Sequence, residues 1–153
     1  METAKKLRYH HSETFTPTET IMRPLAIPTI LADQDCRSEG QWSATGPVEG
    51  HELLHLAAQI HADDMADNDF FNHTGSDGSS FSQRIYDTGY NGSPMAENIA
   101  AGGTDPASIV DRWLDSDGHC RNLMIPTATE IGVGFTYGGN WGTLWVLKVA
   151  RGS

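Results

Sequence analysis

The sequence of 153 residues contains no run of about 18 apolar residues, so no segment of it qualifies as a membrane-spanning helix. Positive charge is scarce: ten Lys plus Arg stand against twenty Asp plus Glu, a formal net charge of −10. Three of those ten, Lys5, Lys6 and Arg8, crowd the first eight positions and leave the rest still more acidic. Neutralising nucleic-acid phosphates or anionic headgroups requires a basic face, so the charge argues against nucleic acid and disfavours anionic membrane surfaces as partners. Cysteine is nearly absent. Cys36 and Cys120 are too few for a disulfide framework, and no Cys-x-x-Cys pair marks a zinc ribbon or redox site. They leave open one long-range disulfide or two buried thiols. No Gly-x-Ser-x-Gly elbow is present, which removes the usual Ser-His-Asp hydrolase. No apolar run follows the basic start, so a secretory leader is also missing; either the protein stays inside the cell or the chain is a mature form.

What is present fits one domain and falls short of two. Residues 1–35 lack sustained periodicity and carry Pro17, Pro24 and Pro28. They read as an extension, partly disordered or docked through Leu25–Leu31, with the domain itself at 36–151. From Glu49 to Asp67, Leu54, Ala57, Ala58, His61 and Met65 recur at helical steps. Ser80 or Ser82 can cap a shorter helix through Tyr86, with Gly89 as its stop. Pro94 to Gly103 reads as a short segment closed by glycines. Asp105-Pro106 opens a further helix with Ile109, Val110, Trp113 and Leu114 inward, ending near Asp117-Gly118. The period then changes. Ile131, Val133, Phe135 and Tyr137 alternate with small residues, Tyr137–Asn140 is a turn, and Trp141–Ala150 is the returning strand. That strand is apolar on both faces and must be covered on both. Helices followed by such a hairpin predict an α+β, three-layer α-β-α sandwich around a mainly antiparallel sheet.

Two chemistries compete for the histidines. His51-Glu52-Leu53-Leu54-His55 fits H-E-x-x-H, which on a helix offers two imidazoles on one face and a glutamate general base, the zinc-peptidase arrangement. The longer form of the motif fails, because Ala58 stands where a glycine must turn the chain toward the third histidine, His61. The expectation for His51 and His55 is exposed side chains that bind nothing, with a zinc-dependent hydrolase as the alternative function. His61 is expected to pack or hydrogen-bond within its helix. Trp113, Phe70 and Phe71 are expected in the core. Asp63, Asp64, Asp67 and Asp69 read as a solvated face, at most a weak Ca²⁺ site. The second candidate is dispersed: His73, Glu97, His119 and Glu130 each lie at the edge of an apolar or glycine-rich element.

The blocks His61–Ser79, Ala96-Glu-Asn-Ile-Ala-Ala-Gly102, Trp113-Leu-Asp-Ser-Asp-Gly-His-Cys-Arg-Asn122 and Thr129-Glu-Ile-Gly-Val-Gly134 resemble, in order, those of the bacterial CAP domain. This is the cysteine-rich secretory, antigen 5 and pathogenesis-related superfamily of SCP-like extracellular proteins. The resemblance covers roughly 36–150. It implies the same α-β-α sandwich, a secreted or periplasmic location, and a central cleft built from His73, His119, Glu97 and, less directly, Glu130. The eukaryotic branch carries its second glutamate where this chain has Ser116. Two imidazoles flanked by carboxylates suit Zn²⁺ or another divalent ion, and the resemblance implies such a metal without making it obligatory. It points to a binding module for a small molecule, lipid, glycan or protein, with no settled catalytic reaction. In this frame Cys36 and Cys120 are expected to form a disulfide tying the start of the domain to the loop of His119, which implies an oxidising compartment. Arg121-Asn122 is expected to brace that loop.

Overall fold

The computed structural model describes residues 33–153. Ten regular elements follow in order within them: β1 (Gln34–Asp35), β2 (Gln41–Trp42), β3 (Glu49–Gly50), α1 (Glu52–Asp67), α2 (Phe81–Asp87), β4 (Ser93–Ala101), α3 (Pro106–Leu114), α4 (Asp117–Leu123), β5 (Glu130–Tyr137) and β6 (Thr143–Arg151), with short 3₁₀ turns at Arg37–Glu39 and Gly139–Trp141. The main sheet runs β3-β5-β6-β4; β3 pairs parallel to β5, and the other two pairings are antiparallel. The chain therefore folds as an α+β sandwich with a mainly antiparallel centre. The docking expected of Leu25–Leu31 concerns residues outside those described.

Side-chain alternation on β6 decides what lies on each side of the sheet. Leu144, Val146 and Ala150 meet Leu54, Ala57, Ala58, Ala62 and Met65 of α1 and Ile85 of α2. Trp145, Leu147 and Val149 meet Ile109 and Trp113 of α3. The approach of α1 is set by glycine: a Cβ at Gly132 would lie 2.1 Å from the Leu54 carbonyl carbon, and one at Gly134 would lie 2.4 Å from that of Ala58. Only residues without a side chain let the helix backbone rest directly on β5.

The structure adds three features to the pattern read from the sequence. The segment 94–103 is a full edge strand, β4, rather than a short closed piece. The helix opened by Asp105 ends at Leu114, and Asp117-Gly118 begins a new helix, α4, that carries His119 and Cys120. Helix α1 starts at Glu52, because residues 49–50 pair with β5 and His51 is the cap. Ser80 caps α2 with a complete capping box through Gln83.

Cys36 and Cys120 form a disulfide. Its sulfurs sit in a buried cluster with Leu114 and Met124, and Trp42 packs against it. Around it the chain start is pinned to α4: the Ser38 backbone N–H and hydroxyl both donate to Asp117, and Arg121 pairs with Glu39 at 3.2 Å.

Candidate functional site

The site is organised by Glu97, which β4 places on the α1 side of the sheet with its side chain only 1% exposed. Burying a carboxylate this deeply is unfavourable unless its oxygens are paired. Oε1 accepts from His73 Nδ1 at 2.7 Å. Oε2 accepts from Arg84 Nη2 at 3.0 Å and from the Lys148 ammonium. Burial pushes the Glu97 pKa up, but the His73 hydrogen bond and the Lys148 charge outweigh it and hold the group at about 2. Glu97 is thus a fixed anion.

This sets which ring nitrogen of His73 faces the carboxylate as donor. A carboxylate only accepts, so Nδ1 carries a proton, and in that tautomer the lone pair lies on Nε2. The side chain is 53% exposed, in contrast to its buried partner. Its loop is held rigidly. Arg84 Nη2 donates to the His73 carbonyl at 2.8 Å and Nη1 to the Ser79 carbonyl at 2.7 Å. His61, fully buried, bonds the Asn72 carbonyl through Nε2 at 2.9 Å and lies 3.9 Å from Glu97. Burial keeps His61 neutral, with its pKa lowered to about 4. Asp64 accepts from the Ser76 backbone at 2.9 Å, closing the same loop onto α1.

His119 arrives from the other side of the same edge strand. Asn98 donates to the His119 carbonyl at 3.1 Å, and Asn122 donates to Asn98 Oδ1 at 2.9 Å and to the Glu97 carbonyl at 3.4 Å. The bracing role expected of Asn122 is therefore directed at β4 itself. His119 Nδ1 bonds the Ser116 hydroxyl at 3.0 Å. Partial burial lowers the His119 pKa, and the nearby His73 lowers it further, so the two rings sense each other electrostatically. Both Nδ1 atoms are spent internally, leaving both Nε2 atoms for a ligand.

Glu130 does not join this group. It opens β5, across β6 from β4 and so roughly 10 Å away at ordinary strand spacing. Its carboxylate accepts from the Tyr90 hydroxyl at 2.6 Å, and burial together with that contact raises the tyrosine pKa. His51 packs edge-on against the same ring at 5.1 Å.

The H-E-x-x-H pair is used for folding. His51 lies outside α1 in an extended conformation, and its Nδ1 caps Leu53 N–H at 3.2 Å. His55 is not free on the surface: its Nδ1 accepts from the Val133 N–H at 2.9 Å, and its Nε2 is buried without a partner. One turn on, Gln59 accepts from Phe135 N–H at 3.1 Å and donates to its carbonyl at 2.9 Å. Residues 55 and 59 thereby satisfy the edge of β5 beyond the two residues that β3 covers. The H-E-x-x-H arrangement needs both imidazoles on one helix face and free to bind; here only His55 lies on α1, and its Nδ1 is taken by the Val133 N–H. Phe71 also departs from expectation: it is 36% exposed and rests on Trp141 at 5.3 Å, while Trp113 and Phe70 lie in or against the core.

The four-residue metal set, His73, His119, Glu97 and Glu130, does not fit an ion as arranged. Both Glu97 oxygens are occupied, Glu130 is bound elsewhere, and among the described residues no group of three or more His, Cys, Asp or Glu is placed to hold a metal. The same holds for the aspartates: Asp64 serves Ser76, and Asp69 accepts from Asn140. Arg84 and Lys148, central to the site, are absent from the sequence reading. Lys148 had a legible signal, since a lysine inside a strand covered on both faces must find a buried partner.

An α+β sandwich whose edge strand holds a buried glutamate against the imidazole of His73, with α4 bonded to the next residue of that strand through the His119 carbonyl, has an SCP-type fold. The chain belongs to the cysteine-rich secretory protein family, whose CAP model matches residues 46–149. It is 31% identical over 103 residues to an uncharacterized protein of Bacillus subtilis, YkwD, covering 67% of this chain and 40% of that one. An uncharacterized membrane protein of the same organism, YlbC, is 32% identical over 74 residues, 48% of this chain and 21% of its own length. The match thus spans well under half of either relative. Among solved structures, an extracellular protein containing a SCP domain from Bacillus anthracis superposes with a TM-score of 0.62 at 25% identity, covering 70% of this chain and 34% of that one. An outer surface protein from Borrelia burgdorferi superposes at 0.60 with 23% identity, covering 69% and 78%, a likeness of fold.

Proposed function

We propose that this protein is a secreted binding domain whose cleft captures a hydroxyl-bearing ligand, a glycan in the first instance, between His73 and His119. One observation carries the reading: a half-exposed imidazole is locked through Nδ1 to a buried anion, so that Nε2 is presented outward as a pre-aimed acceptor. Preorganisation of this kind lowers the entropy lost on binding. A ligand hydroxyl donates to His73 Nε2, while His119 provides a second contact. The disulfide suits an oxidising compartment. The solved neighbour is titled an extracellular protein, and no helix among the described residues is long and apolar enough to cross a membrane.

Isothermal titration of the full chain with chitotetraose tests this. The wild type binds, and His73→Ala and His119→Ala each lose about tenfold or more, the scale of one lost hydrogen bond to a fixed partner. Equal binding by all three proteins, or none by the wild type, refutes it.

A further inference from the structure

Glu97 is a single negative charge held by two buried cations. Lys148 is fully buried and Arg84 is 7% exposed. Both reach the same oxygen, Oε2, while His73 takes the other. An ammonium in such a place requires a compensating anion, and its Nζ also lies over the Phe81 ring, 6.0 Å from the centroid. Asp77, on the loop surface, is one further charge that the Arg84 charge reaches. The carboxylate that would draw a divalent ion toward His73 is therefore already neutralised from within.

We propose that Lys148 is a specificity-determining residue: its buried ammonium, with the Arg84 guanidinium, fills the charge-compensating place beside Glu97 that a divalent ion would otherwise take, turning the His73–His119 cleft toward hydrogen-bonding ligands and away from metal. The inference rests on the cleft reading given above. It follows from two facts about electrostatics. A dication approaching His73 Nε2 gains more when the second shell behind the ring is negative, because that shell raises the basicity of the ligating nitrogen. Here the shell is a carboxylate whose charge is offset within hydrogen-bonding distance. In a low-dielectric setting a single uncompensated charge at this range changes ion affinity by about tenfold or more. Removing the ammonium alone leaves Arg84 and His73 to hold Glu97 in place.

Titration of the full-length protein with ZnCl₂, followed by calorimetry, tests the assignment. Lys148→Met and Lys148→Gln, the second retaining a hydrogen-bond donor, are expected to bind zinc about tenfold or more tightly than the wild type. Lys148→Arg, which keeps the charge, should remain as weak as the wild type, a rescue that a purely packing role would not give. Adding Glu97→Gln to Lys148→Gln should abolish the gain. Circular dichroism identifies any variant that does not fold; the two neutral replacements guard against losing one. Equal zinc affinity across folded variants, or no zinc binding by any of them, overturns the proposal. Chitotetraose binding by the wild type is read separately, so failure of the cleft reading is distinguishable from failure of the Lys148 assignment.

Discussion

Opening the Cys36–Cys120 bridge is the most informative perturbation of this fold. The two residues are 84 positions apart, so the bond restricts most of the domain in the unfolded chain. The loop-entropy relation gives about 4.5 kcal/mol at 25 °C for a loop of this length. For a domain of this size that corresponds to a fall in Tm of about 15 °C. Reduction leaves the same side chains in place, and the buried contacts of the two sulfurs with Leu114 and Met124 are not deleted. The comparison is therefore between oxidised protein and protein unfolded, reduced and refolded in a phosphine reductant. Urea unfolding followed by tryptophan fluorescence measures the difference. The effect should extend to function. Ser38, Glu39 and Asp117 join the first segment to α4, so loosening that segment displaces His119 and weakens chitotetraose binding in proportion. A difference below about 1 kcal/mol would show that the chain start contributes no constraint. Two titratable thiols in the unfolded, unreduced protein would refute the bridge itself.

Three other outcomes follow from particular contacts. Gly134→Ala drives a Cβ into the Ala58 backbone at 2.4 Å and should destabilise the domain by about 3 kcal/mol or more, measured by urea midpoint; a neutral effect would refute the close packing of α1 on β5. Acidification should destabilise the protein in a defined window. His61 stays neutral in the fold down to about pH 4 but protonates near its ordinary 6.5 when unfolded, so the unfolded chain binds more protons between those values. Stability is then complete above 6.5 and falls by roughly 3 kcal/mol as pH drops to 4, with Glu97 extending the loss toward 2; His61→Gln should flatten the upper part of the slope. Replacing His55 and Gln59 together by alanine exposes the backbone edge of β5 and should produce concentration-dependent association in light scattering, with a loss of about 1–2 kcal/mol; a strictly monomeric, equally stable variant would contradict the edge-capping role.

How much of this is legible in the residues differs by element. Helix α1 and the β5–β6 hairpin follow from period alone, because burial on one or both faces writes the spacing of apolar residues directly. Strand β4 does not, since Ala-Glu-Asn-Ile-Ala-Ala is short of β-branched residues and its strand state depends on pairing with β6. His73 and Glu97 are identified through resemblance and are in direct contact. Resemblance groups Glu130 with them, and the strand order sends it to Tyr90 instead.

Local chemistry along the chain determined which faces are apolar and where Ser80 and Asp105 cap their helices. Only the assembled tertiary structure decided what each polar group is for. His55, half of a tempting catalytic motif, became a backbone cap because α1 lies along an uncovered strand edge. Lys148, inconspicuous in a hydrophobic run, became the partner of Glu97 because adjacent strands place residues 51 positions apart side by side. The reason is physical: burial patterns depend on neighbours within a turn or two, whereas the state of a buried charge depends on whichever groups the whole fold brings within a few ångströms.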